Sequence, residues 1–349
     1  MKAALVHLRF GLKGGLETRL HNYIRYFQNR GDEVQVLTGM VTSGMEVPPG
    51  VEVKNLHIKP VPKPLRPIVF AQRAMRYMQQ EKYDFSLSLS RTYGQQMVIA
   101  ANTHRGYLKA LGKKFTLPSD WIQLHLDRQS FLKSQLILAC SEMVKQEIIQ
   151  WYHIPGEKIK VLYPPLDTTR FYQRDGIHKA ELRQQFGLPQ GHQLLVFAST
   201  SHNRKGLPLL LEVMKDFKEA PITLAVAGSN DDFGQANVKA VGFVKNMEGL
   251  YWAADALVHP AIYEPFGQVI SEAVACGIPA IVSSMTGAKE VLDTSTGLVL
   301  DNYDKAAWKA TIEATLSKEW HIPSDWASAK GLPLEQHMEK MLGYWKKLL

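Results

Sequence analysis

Short apolar segments alternate with amphipathic segments along the whole chain. Seven apolar segments of strand length occur in the first half, at residues 2–8, 33–39, 51–58, 83–90, 97–103, 136–140 and 159–163. Between the first two, Leu16, Leu20, Tyr23, Ile24 and Phe27 have the spacing of one face of a helix. This alternation predicts a parallel sheet with helices on its faces.

The same alternation begins again after an irregular polar stretch. Six further strand segments occur at residues 193–200, 222–228, 240–244, 256–261, 279–284 and 297–300. Pro164 and Pro165 end the first series, so we place the domain junction there. The pattern predicts an α/β protein with two doubly wound, Rossmann-like domains, whose ligands bind outside the carboxyl ends of the strands.

We place the first domain at residues 1–164 and the second domain at residues 165–330. The remaining residues, 331–349, have an apolar face in helical register. The residues of this face are Leu334, Met338, Met341, Leu342 and Trp345. They predict a closing amphipathic helix, which is able to pack back on the N-terminal domain.

Composition narrows the class of protein. The chain has 349 residues, of which 45% are hydrophobic and 21% charged, as in an ordinary globular protein. Its two cysteines, Cys140 and Cys276, are far apart, so we expect no disulfide framework and a reducing cytosol. No segment approaches the roughly 18 apolar residues of a membrane span, and the N-terminus is a poor signal peptide. We expect a cytoplasmic protein, either soluble or peripheral at the inner face of the cytoplasmic membrane.

Charge is distributed unevenly between the two halves. The net charge is +8, but residues 1–165 contain 23 Lys and Arg against 12 Asp and Glu, a net of +11. Residues 166–349 contain 18 against 21, a net of −3. A basic half indicates an anionic partner such as a phosphate or a membrane surface, or else only a solvated basic face. No RNA- or DNA-binding motif is present, so we expect no nucleic-acid partner.

Two carboxylates, Glu264 and Glu272, occur in the stretch EPFGQVISEAVACG. Pro265 is favoured in a first helical turn and Gly277 at a helix end, so we predict a helix from about Pro265 to Gly277. The N–H groups of such a helix start form an anion site, and Gly267 lets a ligand approach the backbone closely. The alternative is that Glu264 only complements the helix dipole and Glu272 is a solvated surface residue.

The sequence around these carboxylates resembles the donor-binding half of the retaining GT-B glycosyltransferases of family 4. The matching motifs, in the family's order, are Gly242–Val244, Ala254–Asp255, Pro260, Glu264–Gly267, Glu272, Gly277–Pro279 and Gly287–Glu290. The segment PLDTTRF at residues 165–171 is similar to the family's junction motif, and the first half matches more loosely. The resemblance implies a GT-B architecture, in which an acceptor-binding domain and a nucleotide-sugar-binding domain face each other across a cleft.

The resemblance also implies roles for the EPFG motif. Glu264 would bind hydroxyl groups of the donor sugar as a catalytic residue, and Glu272 would bind the ribose hydroxyls. Carboxylates only accept hydrogen bonds, which suits paired hydroxyls. The donor-binding residues of the motif would also include Pro265, with the backbone N–H groups of Phe266, Gly267 and Gln268 holding the diphosphate.

Further donor-site residues come from other matched positions. Phe243 and Val244 belong to the family's Gly-Phe-Val turn. Lys205, followed by Gly206 at a predicted helix start, matches the catalytic lysine that neutralises the leaving diphosphate. The family's upstream Gly-Arg is replaced here by Ala-Ser-Thr, so Arg204 is a candidate for the missing charge. The alternative for Arg204 and Lys205 is an ordinary surface position.

Two candidate sites in the first half complete the implied set. Gly14 and Gly15 match a Gly-Gly turn that faces the donor phosphates, with Lys13 beside them as a further candidate, although a simple strand-to-helix turn is the alternative. His104, which we place at the end of the strand 97–103, matches a histidine near the reacting sugar. A histidine there can donate a hydrogen bond to a sugar hydroxyl, or it can be a purely structural residue.

The expected chemistry follows from the same resemblance. No acidic nucleophile is evident in the first half, so we expect the family's single-face retaining mechanism, in which the leaving phosphate helps to deprotonate the acceptor. No DxD-type metal site is present, so we expect no cofactor and no obligatory metal. The co-substrate is expected to be a nucleotide-sugar, with a UDP-sugar as the first choice.

The expected acceptor is a saccharide or a glycolipid. Similarity to family members that build lipopolysaccharide core favours a bacterial cell-envelope glycolipid. Basic and apolar residues alternate within residues 57–83 and 105–115, which suits an interface with anionic lipid, or else these segments pack on the core. The basic residues singled out in the first segment are Lys59, Lys63, Arg66, Arg73 and Arg76.

Two other functions stay open at this point. A GT-B sugar-nucleotide epimerase would share the fold and the nucleotide pocket but would need no acceptor, so an assay of sugar transfer against donor interconversion separates the two. A non-catalytic protein that binds anionic lipid or nucleic acid would not hydrolyse a nucleotide-sugar.

Overall fold

A parallel sheet forms the centre of the first structural unit. The computed structural model describes residues 1–12, 14–113 and 117–349. In the described part of this unit the strands are β1 (Lys2–Phe10), β2 (Glu33–Val41), β3 (Val51–Asn55), β4 (Phe85–Ser88), β5 (Met97–Ala100), β6 (Leu136–Ala139) and β7 (Ile159–Val161). Their order is β3-β2-β1-β4-β5-β6-β7, with every pair parallel. Each predicted segment forms a strand, so the predicted parallel sheet is confirmed.

Helices cover this sheet. They are α1 (Gly15–Asn29), α2 (Arg66–Gln80), α3 (His104–Ala110), α4 (Pro118–Lys133) and α5 (Glu142–Tyr152), with short 3₁₀ turns at Lys63–Leu65 and Gly156–Lys158. The predicted stripe of α1 lies in the core, where Leu20, Tyr23 and Phe27 are fully buried. The helix is therefore held by its apolar face rather than by its ends.

The segment that we considered for membrane contact packs partly on this core. Phe70 is buried, and Val61 and Val69 pack against the same apolar cluster. Two of its basic side chains also bind their own loop: Arg66 donates hydrogen bonds to the carbonyls of residues 59 and 61, and Arg73 to those of residues 56 and 57. The core-packing alternative therefore applies to most of the apolar residues there.

A second parallel sheet forms the centre of residues 166–333, which the structure describes without a gap. Its six strands are β8 (Gln193–Ala198), β9 (Ile222–Ala227), β10 (Val238–Gly242), β11 (Ala256–His259), β12 (Ala280–Ser283) and β13 (Gly297–Leu300). Their order is β10-β9-β8-β11-β12-β13. Strand order reverses between β8 and β11, as in doubly wound nucleotide-binding folds.

Seven short helices accompany the second sheet within the same range. They are α6 (Lys179–Gln185), α7 (His202–Lys205), α8 (Leu207–Lys215), α9 (Met247–Ala253), α10 (Gln268–Ala275), α11 (Lys305–Ser317) and α12 (Trp326–Ala329), with a 3₁₀ turn at Gly287–Val291. Trp308 of α11 is fully buried in the core of this unit. The second sheet therefore has a core of its own.

The last helix, α13 (Leu334–Lys346), belongs to the first unit. Its buried residues Met338, Met341, Leu342 and Trp345 join the core formed by α1 and the first sheet. Its His337 lies 2.6 Å from the Tyr23 hydroxyl through Nε2 and 2.8 Å from a main-chain carbonyl of the same unit through Nδ1. Apolar contacts and a buried polar pair thus hold α13 in place.

The chain divides into two units at two points. The first unit comprises Met1–Pro165 and Leu334–Leu349, and the second comprises Leu166–Pro333. Among the described residues, no helix is both long enough and apolar enough to cross a membrane. Both cysteines are buried, and they form no disulfide with each other.

Candidate active site

The predicted donor-site residues of the second unit follow two neighbouring strands. β8 and β11 pair with each other at the point where the order of the sheet reverses. Residues 199–206 follow β8, and residues 260–267 follow β11. Ligands of doubly wound sheets bind outside the carboxyl ends of the strands at such a point, so these two loops form the candidate site.

Three side chains converge on one oxygen of Glu264. Oε2 of Glu264 lies 3.3 Å from an Arg204 nitrogen, 3.4 Å from Lys205 Nζ and 3.7 Å from Nε2 of His259. The Glu264 side chain is only 13% exposed. The structure therefore brings together Arg204, Lys205 and Glu264, which the sequence motifs had identified separately.

The ionisation of Glu264 follows from these contacts. Burial alone opposes the carboxylate form, but His259 and the charges of Lys205 and Arg204 outweigh it and lower the pKa of Glu264 to about 2. Burial also lowers the pKa of His259, which is completely enclosed, so this ring is neutral at physiological pH. Glu264 is thus a fixed carboxylate that accepts hydrogen bonds and never donates them.

The loop that carries Glu264 differs from the prediction. The backbone of Glu264 pairs with residues 285 and 287: its N–H donates to the carbonyl of Met285, and its carbonyl accepts the N–H of Gly287. Gly267 then has a φ of +100°, a left-handed conformation that favours glycine. The helix therefore begins at Gln268 rather than at about Pro265, and Pro265, Phe266 and Gly267 form a loop before it. The predicted end is confirmed, because α10 ends at Ala275, two residues before Gly277.

Glu272 lies on α10 in a different electrostatic environment. Its Oε2 accepts a hydrogen bond from the hydroxyl of the buried Tyr251 at 3.1 Å. Burial raises the pKa of Glu272 to about 7, while Tyr251, Arg170 and Lys205 oppose this rise only in part. Glu272 therefore changes its protonation near neutral pH, whereas Glu264 does not.

Lys205 and Gly206 lie directly before a helix start, as we predict, and Lys205 also ends the short helix before it. It is the last residue of α7, and α8 begins two residues later, at Leu207. Gly206 between them has a φ of +87°, and a Cβ there would lie 2.0 Å from the carbonyl oxygen of Pro260. Only glycine fits this close crossing, which brings Lys205 against the loop that follows β11.

Arg204 binds the same loop. Its guanidinium donates a hydrogen bond to the carbonyl of Tyr263, and its own carbonyl accepts the N–H of Ile262 at 2.9 Å. Arg204 therefore positions the backbone just before Glu264 in addition to its ionic contact with that carboxylate. It supplies a second positive charge at the site. The family motif has its arginine upstream of this position in the sequence.

The remaining predicted donor residues of the second unit lie in loops. Phe243 and Val244 follow β10 directly after Gly242, which has a φ of +68°. Phe243 is 80% exposed, an unusual state for so large an aromatic ring. The carbonyl of Phe266 accepts a hydrogen bond from the N–H of Ala288, which fixes the loop before Gln268.

We predict His104 at the end of a strand, but in the structure it lies elsewhere in the first unit. β5 ends at Ala100, and His104 is the first residue of α3, where Thr103 caps the helix. Its Nε2 lies 2.8 Å from an Asp120 oxygen, and its backbone N–H donates to Asp127. Two carboxylates of α4 therefore hold His104, one through Nε2 of its ring and the other through its backbone N–H.

The Gly-Gly turn of the first unit precedes α1. Gly14 is the residue before the helix and Gly15 is its first residue. The carbonyl of Gly14 accepts hydrogen bonds from the N–H and the hydroxyl of Thr18. Lys13, the further candidate beside this turn, lies outside the described residues.

Two residues of these sites were missed by the sequence interpretation. His259 is the last residue of β11, and its position directly before the matched Pro260 was a usable signal. Asp120 had no signal, because only tertiary contact places it beside His104. Among the described residues, no group of three or more His, Cys, Asp and Glu side chains is arranged to hold a metal ion.

Comparison with known proteins gives the class of this protein. Residues 178–330 match the family described as glycosyl transferases group 1, and residues 13–170 match glycosyltransferase family 4. A probable transglycosylase of Burkholderia thailandensis is 30% identical over 311 residues, which cover 89% of this chain and 85% of the relative. The chain belongs to the GT-B glycosyltransferases that carry these two family domains, as the resemblance implied.

Solved structures show the same fold. WaaG, a glycosyltransferase involved in lipopolysaccharide biosynthesis, superposes with a TM-score of 0.77 at 19% identity, over 96% of this chain and 93% of WaaG. Anabaena HepE, solved in complex with UDP and glucose, has a TM-score of 0.73 at 18% identity, over 99% and 100% of the two chains. The two α/β sheets of this protein are therefore those of a GT-B glycosyltransferase.

Proposed function

We propose that this protein is a retaining glycosyltransferase that transfers a hexose from a nucleotide-sugar to a saccharide of the bacterial cell envelope. The observation that carries this proposal is the convergence of Arg204, Lys205 and His259 on Glu264 at the switch point of the second sheet. It combines a fixed carboxylate, suited to sugar hydroxyls, with two cations suited to a diphosphate.

In this proposal each charged group has a separate task. Glu264, ionised at all physiological pH values, accepts hydrogen bonds from hydroxyls of the donor sugar. Glu272 accepts the ribose hydroxyls, and Lys205 with Arg204 neutralises the diphosphate as it leaves. Negative charge on the leaving group grows towards the transition state, so a fixed cation contributes more there than in the ground state.

The donor is proposed to be a UDP-sugar, used without an obligatory divalent ion. The solved complexes of Anabaena HepE with UDP and with UDP-glucose support a uridine nucleotide. The cations at Glu264 support metal-independent departure, because they supply positive charge where a metal would otherwise act. Transfer should therefore persist in the presence of EDTA.

A thermal-shift screen tests the donor site directly. UDP, GDP and ADP, each with and without a sugar, are added to the purified protein, and the matching nucleotide raises the melting temperature because it binds the native state. Glu272→Ala should weaken binding of that nucleotide roughly ten- to a hundredfold, the value of about 1.5–3 kcal/mol for a hydrogen bond to a charged group. Glu219→Ala, at an 88% exposed carboxylate of the same unit, is the matched control.

The outcomes separate the candidate functions. A nucleotide that shifts the wild type but not Glu272→Ala supports the donor site, and sugar transfer to an added acceptor supports the enzyme. Interconversion of the donor sugar without transfer would instead support an epimerase. If no nucleotide shifts the melting temperature of the wild type, the proposal is refuted.

The acceptor is proposed to lie at the inner face of the cytoplasmic membrane as a glycolipid. The similarity to WaaG, a glycosyltransferase involved in lipopolysaccharide biosynthesis, supports this choice of substrate class. In the first unit, Leu117 and Trp121 are exposed by 62% and 65% at the start of α4. The basic residues Lys109 and Lys113 are exposed on and just after the neighbouring α3, a combination suited to an anionic bilayer surface.

Vesicle sedimentation tests this attachment. The wild type should bind vesicles that contain phosphatidylglycerol and not vesicles of phosphatidylcholine alone, with binding lost between 0.1 M and 1 M salt, where the Debye length falls from about 10 Å to about 3 Å. The triple variant Trp121→Ser, Lys109→Gln, Lys113→Gln should lose most binding, whereas Lys54→Gln with Lys82→Gln, changed elsewhere on the unit, should retain it. Equal binding to both lipids would contradict the electrostatic part of the proposal.

A further inference from the structure

A cavity of about 290 Å³ lies within the first unit, apart from the residues assigned to the donor. Its lining comes from the carboxyl ends of β1, β4 and β5 and from the helices α1, α2 and α4. β1 and β4 pair where the order of the first sheet reverses. The cavity thus occupies the place where doubly wound sheets bind their ligands.

Two buried polar atoms of this cavity have no hydrogen-bond partner among the described residues. Glu17, in the first turn of α1, is 6% exposed, and its Oε2 has no hydrogen bond. Ser130 of α4 is 1% exposed, and its hydroxyl also has none. Burying a carboxylate oxygen without a donor is unfavourable, so both groups point to a ligand that supplies hydrogen-bond donors.

Several other polar groups of the wall are already bound to each other. Arg91 donates hydrogen bonds to Asp127 and to Asn102. Asp127 also accepts hydrogen bonds from the His104 N–H and the Tyr152 hydroxyl. These groups are therefore satisfied, which leaves Glu17 and Ser130 as buried groups that are able to bind a ligand.

The charges of the cavity balance. Arg9 and Arg91 are offset by Glu17 and Asp127, and Nε of Arg9 lies 4.0 Å from Glu17. His7, in the carboxyl half of β1, lies 3.0 Å from the hydroxyl of Ser90, and burial lowers its pKa to about 4, so it adds no charge near neutral pH. A cavity without net charge favours an uncharged ligand over a phosphate or a carboxylate.

The remaining lining and the size limit the ligand further. Phe70, Phe131, Leu89 and Ile99 supply an apolar wall. A volume of 290 Å³ lies at the lower end of the roughly 300–1,000 Å³ that ligand pockets occupy. The cavity therefore suits a compact ring that has both an apolar face and hydroxyl groups, and it is too small for a lipid chain together with that ring.

We propose that this cavity binds an uncharged sugar residue at the end of the acceptor, whose hydroxyls donate hydrogen bonds to Glu17 and Ser130. The inference rests on the proposed function, since a glycosyltransferase must hold an acceptor sugar. It narrows the acceptor to a neutral terminal sugar, and it leaves any phosphate or acyl part of that acceptor outside the cavity.

Calorimetric titration with simple sugars tests this assignment. The probes are the methyl glycosides of glucose, galactose and mannose, each compared with its 6-phosphate. A neutral glycoside should bind at least tenfold more tightly than its 6-phosphate. Glu17→Gln should weaken that glycoside about tenfold, because an ionised acceptor forms the stronger hydrogen bond. Glu33→Gln, at an exposed carboxylate of the same unit, should bind as the wild type does.

Ser130→Ala gives a second measurement if Glu17→Gln does not fold, and it should weaken the same glycoside several-fold. Tighter binding of the 6-phosphates, or unchanged affinity in both variants, would overturn the assignment. The nucleotide-induced thermal shift is measured on the same wild-type sample. A nucleotide shift without any glycoside binding refutes the cavity assignment alone, whereas absence of the nucleotide shift refutes the proposed function.

Discussion

Replacing Glu272 by Gln should stabilise the unliganded protein at neutral pH and above. Burial raises the pKa of this carboxyl from its usual 4.5 to about 7. The folded protein therefore holds a proton that the unfolded chain has already lost between pH 4.5 and 7. Stability falls with rising pH across this range, because the unfolded chain is favoured by releasing a proton that the folded protein retains.

The size of this change in the free energy of unfolding follows from the pKa of Glu272 in the unfolded and folded states. The interval from 4.5 to about 7 corresponds to about 3 kcal/mol at 1.36 kcal/mol for each pKa unit. About 2.5 kcal/mol of this should appear between pH 5 and pH 8. Gln keeps the oxygen that accepts the Tyr251 hydroxyl hydrogen bond and removes only the titration.

Urea unfolding of the wild type and Glu272→Gln at pH 5, 6, 7 and 8 measures this effect. The variant should gain stability over the wild type steadily as the pH rises. Glu264→Gln is the control, because the pKa of Glu264 is shifted in the opposite direction from that of Glu272. The pKa of Glu264 is lowered to about 2, so its stabilisation is complete above pH 4.5 and is lost only as the pH falls towards 2. That variant should be less stable by a constant amount from pH 5 to pH 8, since Arg204 and Lys205 lose their counter-charge.

The result that would refute this reasoning is a difference between the wild type and Glu272→Gln that does not change with pH. Such a result would mean that Glu272 titrates as an exposed carboxyl. A sloping difference for Glu264→Gln over the same range would likewise contradict the fixed ionisation of Glu264.

Two further predictions concern the loop after β8. Lys205→Ala should lower kcat more than it raises the KM for the donor, while Lys218→Ala, at a 76% exposed lysine, should change neither; a rise in KM alone would limit Lys205 to binding. Gly206→Ala should lower the melting temperature well below that of Gly191→Ala, because both positions have a positive φ but only a Cβ at Gly206 meets backbone, at 2.0 Å. Equal losses in the two variants would show that this crossing relaxes freely.

The sheets could be predicted from sequence because their strands are continuous apolar runs. Strands of a parallel sheet are buried on both faces, so the signal is local and strong. The start of α10 could not be predicted in this way. Pro265 favours a first helical turn locally, but the backbone of Glu264 pairs with residues 285–287, about 20 positions away, and this pairing delays the helix until Gln268.

The candidate site could likewise be predicted from the sequence only in part. The motifs identified Glu264 and Lys205, because their spacing along the chain is itself the signal. The pairing of His104 with Asp120, and the contact of His259 with Glu264, depend on which elements meet in space. No spacing in the sequence indicates those contacts, so the partners of a site residue were less predictable than the residue itself.

The position of α13 has a consequence for the order in which the protein folds during synthesis. The second unit is one continuous segment, so all its residues have been translated before Leu334 is added. The first unit begins earlier but lacks Met338, Met341 and Trp345 of its core until α13 has been translated. The half that is made first is therefore completed last, and a stop codon before Leu334 would damage the beginning of the protein rather than its end.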